Sequence, residues 1–186
     1  SGPLALTASG TERMRIDSSG NVGINTTPAY KLDVSFAGAA GWGSRFSNTS
    51  SGSAQQTTMR FLRNGTSVGF ISTTNTATQY VTSSDYRLKE NAVAISDGIT
   101  RLKQLQPKRF NFISDDSVVD GFMAHEAQAV VPEAVTGTQD AVDEDGNPDY
   151  QGIDQAKLVP LLTAALQEAI AKIETLETKV AALEAN

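Results

Sequence analysis

Thr82-Ser83-Ser84-Asp85-Tyr86-Arg87-Leu88-Lys89-Glu90-Asn91 is the stretch at which the chain changes character. The residues before it are crowded with Gly, Ser, Thr and Asn, whereas a normally mixed globular sequence follows and ends in a heptad pattern. Ser84 and Lys89 are five residues apart. A turn of the backbone between them brings the lysine amine within reach of the serine hydroxyl, and that pairing activates serine without histidine. A reactive serine here cuts the chain at its own junction. The plainer reading of the same residues is a helix N-terminus, with Ser84 or Asp85 accepting an otherwise unpartnered backbone N–H.

A chain of 186 residues forms one large or two small domains, and the compositional break favours two unequal ones. Residues 1–83 carry six Arg or Lys against three Asp or Glu, and residues 84–186 carry nine against eighteen, so the net charge of −6 is concentrated in the second part. An acidic second part and a barely basic first part argue against nucleic acid as a partner. Without cysteine there is neither a disulfide framework nor a thiolate metal site. No run is long and apolar enough for a membrane span and nothing at the start resembles a signal peptide, so the expectation is a soluble protein with no membrane partner. Ser1-Gly2-Pro3 is expected to be an expression scar and is set aside from fold reasoning.

In the first part, Arg13 to Asp17 alternates apolar and polar residues, Ser18-Ser19-Gly20-Asn21 makes a turn, and Val22-Gly23-Ile24 resumes the alternation, which predicts a hairpin. Thr27-Pro28 breaks the run before a further strand at Tyr30–Val34. Met59–Arg63 and Val68–Ser72 flank Asn64-Gly65, a second hairpin signal. Ser72–Thr78 suits an exposed strand or a linker leading to the junction. Gly38-Ala39-Ala40-Gly41-Trp42-Gly43 lacks the spacing of a phosphate-binding loop and reads as loop or packing. Trp42, Tyr30 and Arg45 form a candidate sugar-binding patch, against the commoner use of scattered aromatics as packing residues. Each copy has too few large apolar side chains to close a core, so association with other copies is the natural way to bury them.

After the junction, Leu88, Ala92, Ile95, Ile99, Leu102 and Leu105 approach helical spacing with Asp97-Gly98 interrupting, which predicts two short helical pieces ended by Pro107. Arg109–Ile113 reads as a strand, Ser114-Asp115-Asp116 as a turn, Gly121–Ala124 as a second strand and His125–Val130 as a short helix stopped before Pro132. His125 stands alone in the chain and cannot belong to a clustered zinc site; by itself it reads as an ordinary structural residue, and only the family resemblance of its block, given below, makes it a candidate for orienting Ser84 or stabilising an oxyanion. Glu126 is a candidate partner for Arg87 or Lys89. Asp143-Glu144-Asp145-Gly146-Asn147-Pro148-Asp149 spaces oxygens as calcium loops do. Pro148 nevertheless occupies the position where an EF-hand needs glycine, so a solvated hairpin between strands Ala134–Ala141 and Tyr150–Ile153 is favoured. No metal and no cofactor are expected.

Asp154 can cap a terminal helix beginning near Gln155, with Pro160 either in its first turn or kinking an earlier start. Leu162, Leu166, Ala169, Ile173, Leu176, Val180 and Leu183 are spaced alternately by four and three, an a/d seam. With Leu166, Ile173 and Val180 at a, Lys172 and Glu177 and then Lys179 and Glu184 occupy facing g and e positions with opposite charge, as between parallel chains. The competing use of the stripe is packing against the helix's own domain. The choice of a and d residues leans toward a dimer.

Ser84-Asp85-Tyr86-Arg87-Leu88-Lys89 resembles the Ser-Asp-x-Arg-x-Lys signature of the self-cleaving C-terminal intramolecular chaperone domain of phage tailspikes, tail fibres and endosialidases. Asp120–Gln128, Val131–Val135 and Ile153–Leu162 resemble further blocks of that family in the same order. The strands of the first part are similar to phage fibre shafts. The resemblance implies an α+β chain, with a β-rich trimeric fibre segment at 1–83 and a small chaperone domain at 84–186 whose 155–186 portion is a coiled-coil helix. It implies a homotrimer whose chaperone aids the upstream fibre of the same chain. Autoproteolysis between Ser83 and Ser84 then follows, with Ser84 as nucleophile, Lys89 as base, and Asp85 and Arg87 in support. It places the protein in a virion tail fibre or tailspike assembled in the host cytoplasm, with a host-surface glycan as a candidate ligand of the fibre part. The alternative is a receptor-binding or structural fibre tip that never cleaves. A membrane-anchored transcription factor fragment, whose relatives share this self-cleaving domain, finds neither a basic region nor a membrane span here.

Overall fold

A computed structural model describes residues 2–36, 43–47, 54–113 and 115–185. The fold is mixed, with many strands and one long terminal helix, and the chain forms two compact units, Ser1–Leu88 and Lys89–Asn186. The glycine-rich run through Trp42 lies largely outside the described residues, so the sugar-patch reading has only Tyr30 and Arg45 within them, both exposed.

The first unit holds two sheets. In the first, β1 (Leu4–Ala8), β2 (Thr11–Ile16), β3 (Val22–Ile24) and β4 (Leu32–Val34) lie side by side in sequence order. The β2–β3 hairpin is the expected one. Its turn is closed by Asp17, whose carboxylate accepts the backbone N–H groups of Ser19 (2.8 Å) and Asn21 (2.9 Å). β4 pairs with β3 in parallel, and β1 precedes the pattern as an additional strand. Partners across a ladder share a face. Leu4, Ile16, Val22 and Leu32 therefore form one row and Leu6, Met14, Ile24 and Val34 the next. This wholly apolar face is open: Leu4 is 62% and Leu32 65% exposed.

In the second sheet, β5 (Gln56–Arg63), β6 (Thr66–Thr73) and β7 (Thr78–Thr82) are consecutive and antiparallel. Asn64 and Gly65 both have positive φ, 48° and 77°, the backbone that a two-residue hairpin matched to strand twist requires. The segment after Ser72 is neither a linker nor a single exposed strand. It turns at 74–77 and returns as β7, a polar strand that pattern alone did not mark. At the sheet's centre the wholly buried Ser72 accepts from Gln55 Nε2 (2.7 Å), which also donates to Gln79 Oε1 (2.8 Å). The buried positions among the described residues of this unit are Gly23, Pro28, Gly69 and Ser72.

The second unit has an apolar core. Leu105, Ala127, Val131, Ala134, Val135, Leu158 and Leu161 are buried together, with Leu102, Phe122 and Ile153 packed around them. They come from α1 (Gly98–Leu102), α2 (Ala124–Gln128), the pair β10 (Val135–Thr136) with β11 (Gly152–Ile153), α3 (Val159–Glu184) and the segments joining them, while the hairpin β8 (Lys108–Phe112) with β9 (Asp115–Gly121) contributes no residue to the cluster. The expected first helical piece near Ala92–Ile95 is absent. Asn91 turns the chain with φ of 51°, and Val93 (87% exposed) and Ile95 (40%) find no apolar surface that would reward a helical face. Asp97-Gly98 starts α1 instead of interrupting it. A Cβ on Gly98 would stand 2.6 Å from the backbone nitrogen of Ala165, so only glycine lets α1 approach α3 this closely.

Glu168 of α3 completes that joint, its carboxylate accepting the N–H groups of Gly98 (2.5 Å) and Ile99 (3.2 Å) at the start of α1. The second strand of the β8–β9 hairpin lies earlier than expected and stops at Gly121, opposite Lys108. The preceding Pro107 has no N–H with which to extend the ladder, and Phe122 turns into the core. Ser114 of the expected turn lies outside the described residues. The Val135–Ile153 hairpin is shorter than expected but has the expected partners, with a further bridge from Val142 to Pro148.

Asp154 caps a short 3₁₀ turn, Gln155–Leu158, by accepting the N–H of Ala156 (3.1 Å), and Pro160 falls in the first turn of α3 where no N–H is needed. Leu158, Leu161, Ala164 and Ala165 are buried in their own unit. The a/d residues occupy a different stripe and remain open: Leu166 62%, Ile173 54%, Leu176 59%, Val180 50% and Leu183 75% exposed.

Candidate functional site

Strand β7 leads directly into the junction. Thr82 is the last ladder residue, opposite Gly69. Ser83 continues the line, its N–H donating to the Val68 carbonyl and its hydroxyl to the Ser67 carbonyl, both at 3.2 Å. Ser84 follows in exposed, irregular backbone, and Tyr86–Leu88 forms a single 3₁₀ turn.

That turn is built by Asp85. Its Oδ1 accepts the N–H of Arg87 (2.9 Å), its carbonyl accepts the N–H of Leu88 (3.1 Å), and both carboxylate oxygens grip the Arg87 guanidinium at 2.9 Å. The helix-cap reading therefore applies to Asp85. The Arg87 side chain, and then its backbone N–H, hold the Asp85 carboxyl below the usual aspartate range, and the carboxylate raises Arg87 in turn. Arg87 is thus paired within the turn. The backbone N–H groups of Arg87 and Leu88 are both donated to Asp85, so neither is open to an oxyanion.

Ser84, Asp85 and Arg87 belong to the first unit, whereas Lys89 opens the second, which also holds His125 and Glu126. Ser84 and Lys89 are both exposed. His125 lies on the exposed side of α2, opposite the buried Ala127. Glu126 pairs with Lys108, a lysine of its own unit, whose Nζ lies 2.5 Å from Oε1. The spacing of Lys108 and Glu126 in sequence carries no signal for that pair. Asp143 uses its carboxylate to close its own loop, accepting the N–H groups of Asp145 (3.0 Å) and Asn147 (2.8 Å). Among the described residues no cluster of His, Cys, Asp or Glu is placed to hold a metal ion, and no helix is long and apolar enough to cross a membrane.

Residues 84–136 match the model of a peptidase family described as chaperone of endosialidase. No curated protein matches the chain. The matched segment opens on Ser84 and closes at the end of β10, taking in the Asp85 turn, α1, the β8–β9 hairpin and α2 and leaving out α3. By that match, residues 84–136 are similar to the chaperone-of-endosialidase family.

Proposed function

We propose that this chain is a trimerisation chaperone of a phage tail fibre or tailspike, which promotes assembly of the β-rich part and then releases itself by cutting between Ser83 and Ser84. The observation that carries the reading is that the family match begins at Ser84 itself, the residue that spacing picks out as nucleophile. The open a/d stripe of α3 supports the assembly half. Its own unit buries Leu158, Leu161 and Ala165, leaving Leu166 to Leu183 available to a parallel helix of another copy. Three copies, as the family implies, also accommodate three β-rich segments. Self-association at the helix raises the effective concentration of those segments, so strand pairing begins in register.

In the chemical step the Ser84 hydroxyl adds to the Ser83 carbonyl carbon while neutral Lys89 takes its proton. The Ser83–Ser84 carbon–nitrogen bond breaks, Lys89 returns the proton to the departing Ser84 amine, and an ester joins Ser83 to the Ser84 oxygen. Water then adds to the ester, freeing the Ser83 carboxylate and restoring the hydroxyl. Burial or a nearby cation favours the neutral amine. Association that encloses Lys89 therefore ties cleavage to assembly, with the result that the fibre stays behind in the virion and the chaperone leaves. Arg87, paired to Asp85, shapes the turn.

The test is the intact mass of the chain with time. The wild type yields fragments 1–83 and 84–186, whereas Ser84→Ala and Lys89→Ala remain whole and still associate. Unchanged fragmentation of Ser84→Ala rejects the dyad. A wild type that stays whole indicates a fibre tip that retains its chaperone, a reading favoured by the occupation of the Arg87 and Leu88 N–H groups by Asp85.

A further inference from the structure

We propose that the β5–β6–β7 sheet positions the scissile bond, so that the chain is cut only when β7 is docked on β6. The proposal rests on the self-cleavage reading and adds to it a specificity element in the first unit.

The bond between Ser83 and Ser84 lies between an anchored strand end upstream and a locally closed turn downstream. Upstream, Ser83 is tied to β6 by its N–H on Val68 and its hydroxyl on Ser67. Downstream, Asp85 is tied to Arg87 and Leu88 by the capped turn. Only the scissile peptide and Ser84 lie between them. The carbonyl carbon under attack belongs to Ser83, so the two bonds on Ser83 set the plane and depth of the electrophile. Displacement of reacting atoms by about 1 Å costs about a hundredfold in rate, which makes the docking of β7 a control on the chemistry.

Docking in turn depends on Gly69. It faces Thr82 across the ladder, and a Cβ there would stand 2.7 Å from the Val81 carbonyl oxygen, a backbone atom that cannot swing aside. Gly69 therefore makes room for the last turn of the β7 ladder, and Ser67 and Val68 beside it receive Ser83. An unfolded second sheet leaves the bond unpositioned, so cleavage responds to the folding of the segment it will release. The cut also falls just past Thr82, so no ladder pair is lost when the chain parts.

The experiment follows fragments 1–83 and 84–186 by intact mass in the full 186-residue chain, with amide exchange reporting whether β6 and β7 are paired. Gly69→Val dislodges β7 and slows cleavage about a hundredfold. Ser83→Ala, which removes only the hydroxyl bond to Ser67, slows it about fivefold, and Ser83→Thr, which keeps a hydroxyl, restores the wild-type rate. A merely structural Ser83 would not give this split between alanine and threonine. The proposal is overturned if Gly69→Val is cut at the wild-type rate while its β7 amides exchange freely, or if Ser83→Ala is cut as fast as the wild type. Should Gly69→Val fail to fold, the Ser83 pair decides alone. A wild type that never fragments overturns the underlying self-cleavage reading, and is told apart by that result.

Discussion

The two units differ in where their apolar side chains go. In Lys89–Asn186, aliphatic residues from three helices, the β10–β11 hairpin and the segments joining them meet in one buried cluster around Val131 and Leu161. In Ser1–Leu88, among the described residues, every Val, Ile, Leu, Met and aromatic side chain retains solvent exposure, and the eight apolar residues of the β1–β4 face have no second layer over them. The second unit is equipped to fold by itself. The first has hydrogen-bonded ladders but lacks the burial that offsets the entropy of ordering its strands, on the order of 1–2 kcal/mol per residue for the backbone alone. Dependence of one part of a chain on another is what this asymmetry teaches, and the function proposed above, a chaperone appended to a fibre segment, would put that dependence to use.

The comparison breaks most visibly in the core. Leu161→Ala should destabilise the second unit by about 2–5 kcal/mol, the usual cost of deleting a buried leucine side chain, and Gly98→Ala by about 1–3 kcal/mol by pushing α1 off α3. Chemical denaturation followed by helical circular dichroism measures both. Leu6→Ala on the open sheet face should change a dissociated chain by less than about 0.5 kcal/mol, so that the same type of substitution separates the units by its size. A loss for Leu6→Ala in the dissociated chain equal to that for Leu161→Ala would erase the contrast.

The seam gives the next effect. Leu176→Asp places a charge in the a/d stripe while leaving Leu158 and Leu161 undisturbed. The expected result is a monomer in sedimentation velocity with an intact second-unit core. Loss of that core would mean the stripe serves its own unit.

The smallest effect lies at the junction. Asp85 titrates below an ordinary aspartate because the Arg87 guanidinium, and then the Arg87 backbone N–H, bind its ionised form. A carboxyl shifted in that direction contributes its support above the ordinary aspartate pKa and loses it as the pH falls through its own lower value. The Tyr86–Leu88 turn should therefore be unchanged at neutral pH and loosen only in acid. Carboxyl NMR should give Asp85 a midpoint below that of an ordinary aspartate, returning toward it in Arg87→Ala. A midpoint unmoved by that substitution would remove Arg87 from the turn.

Local chemistry made much of this readable in advance. Asn64-Gly65 and Ser18-Ser19-Gly20-Asn21 named their hairpins because turn residues carry their own backbone preferences, and Asp154 with Pro160 marked the start of the terminal helix for the same reason. What escaped was non-local. β7 is polar and shows little alternation, and its place comes from Gly69, a strand away. Ala92–Ile95 has helical spacing but no surface to pack against. Glu168 caps a helix about seventy residues before it, and Glu126 chose Lys108; neither pairing leaves a trace in spacing. At the site, the Ser84 signature was legible as a motif and Asp85 as a cap, whereas the anchoring of Ser83 on Ser67 and Val68 required the sheet.

The central claim, that the first unit folds through the association of the second, is tested most directly by amide exchange on the full chain carrying Ser84→Ala, with and without Ile173→Asp and Leu176→Asp. The account predicts that breaking the seam strips protection from β1–β7 while the amides of α1 and of α3 around Leu161 stay protected. Equal protection of β1–β7 in the dissociated chain would contradict it.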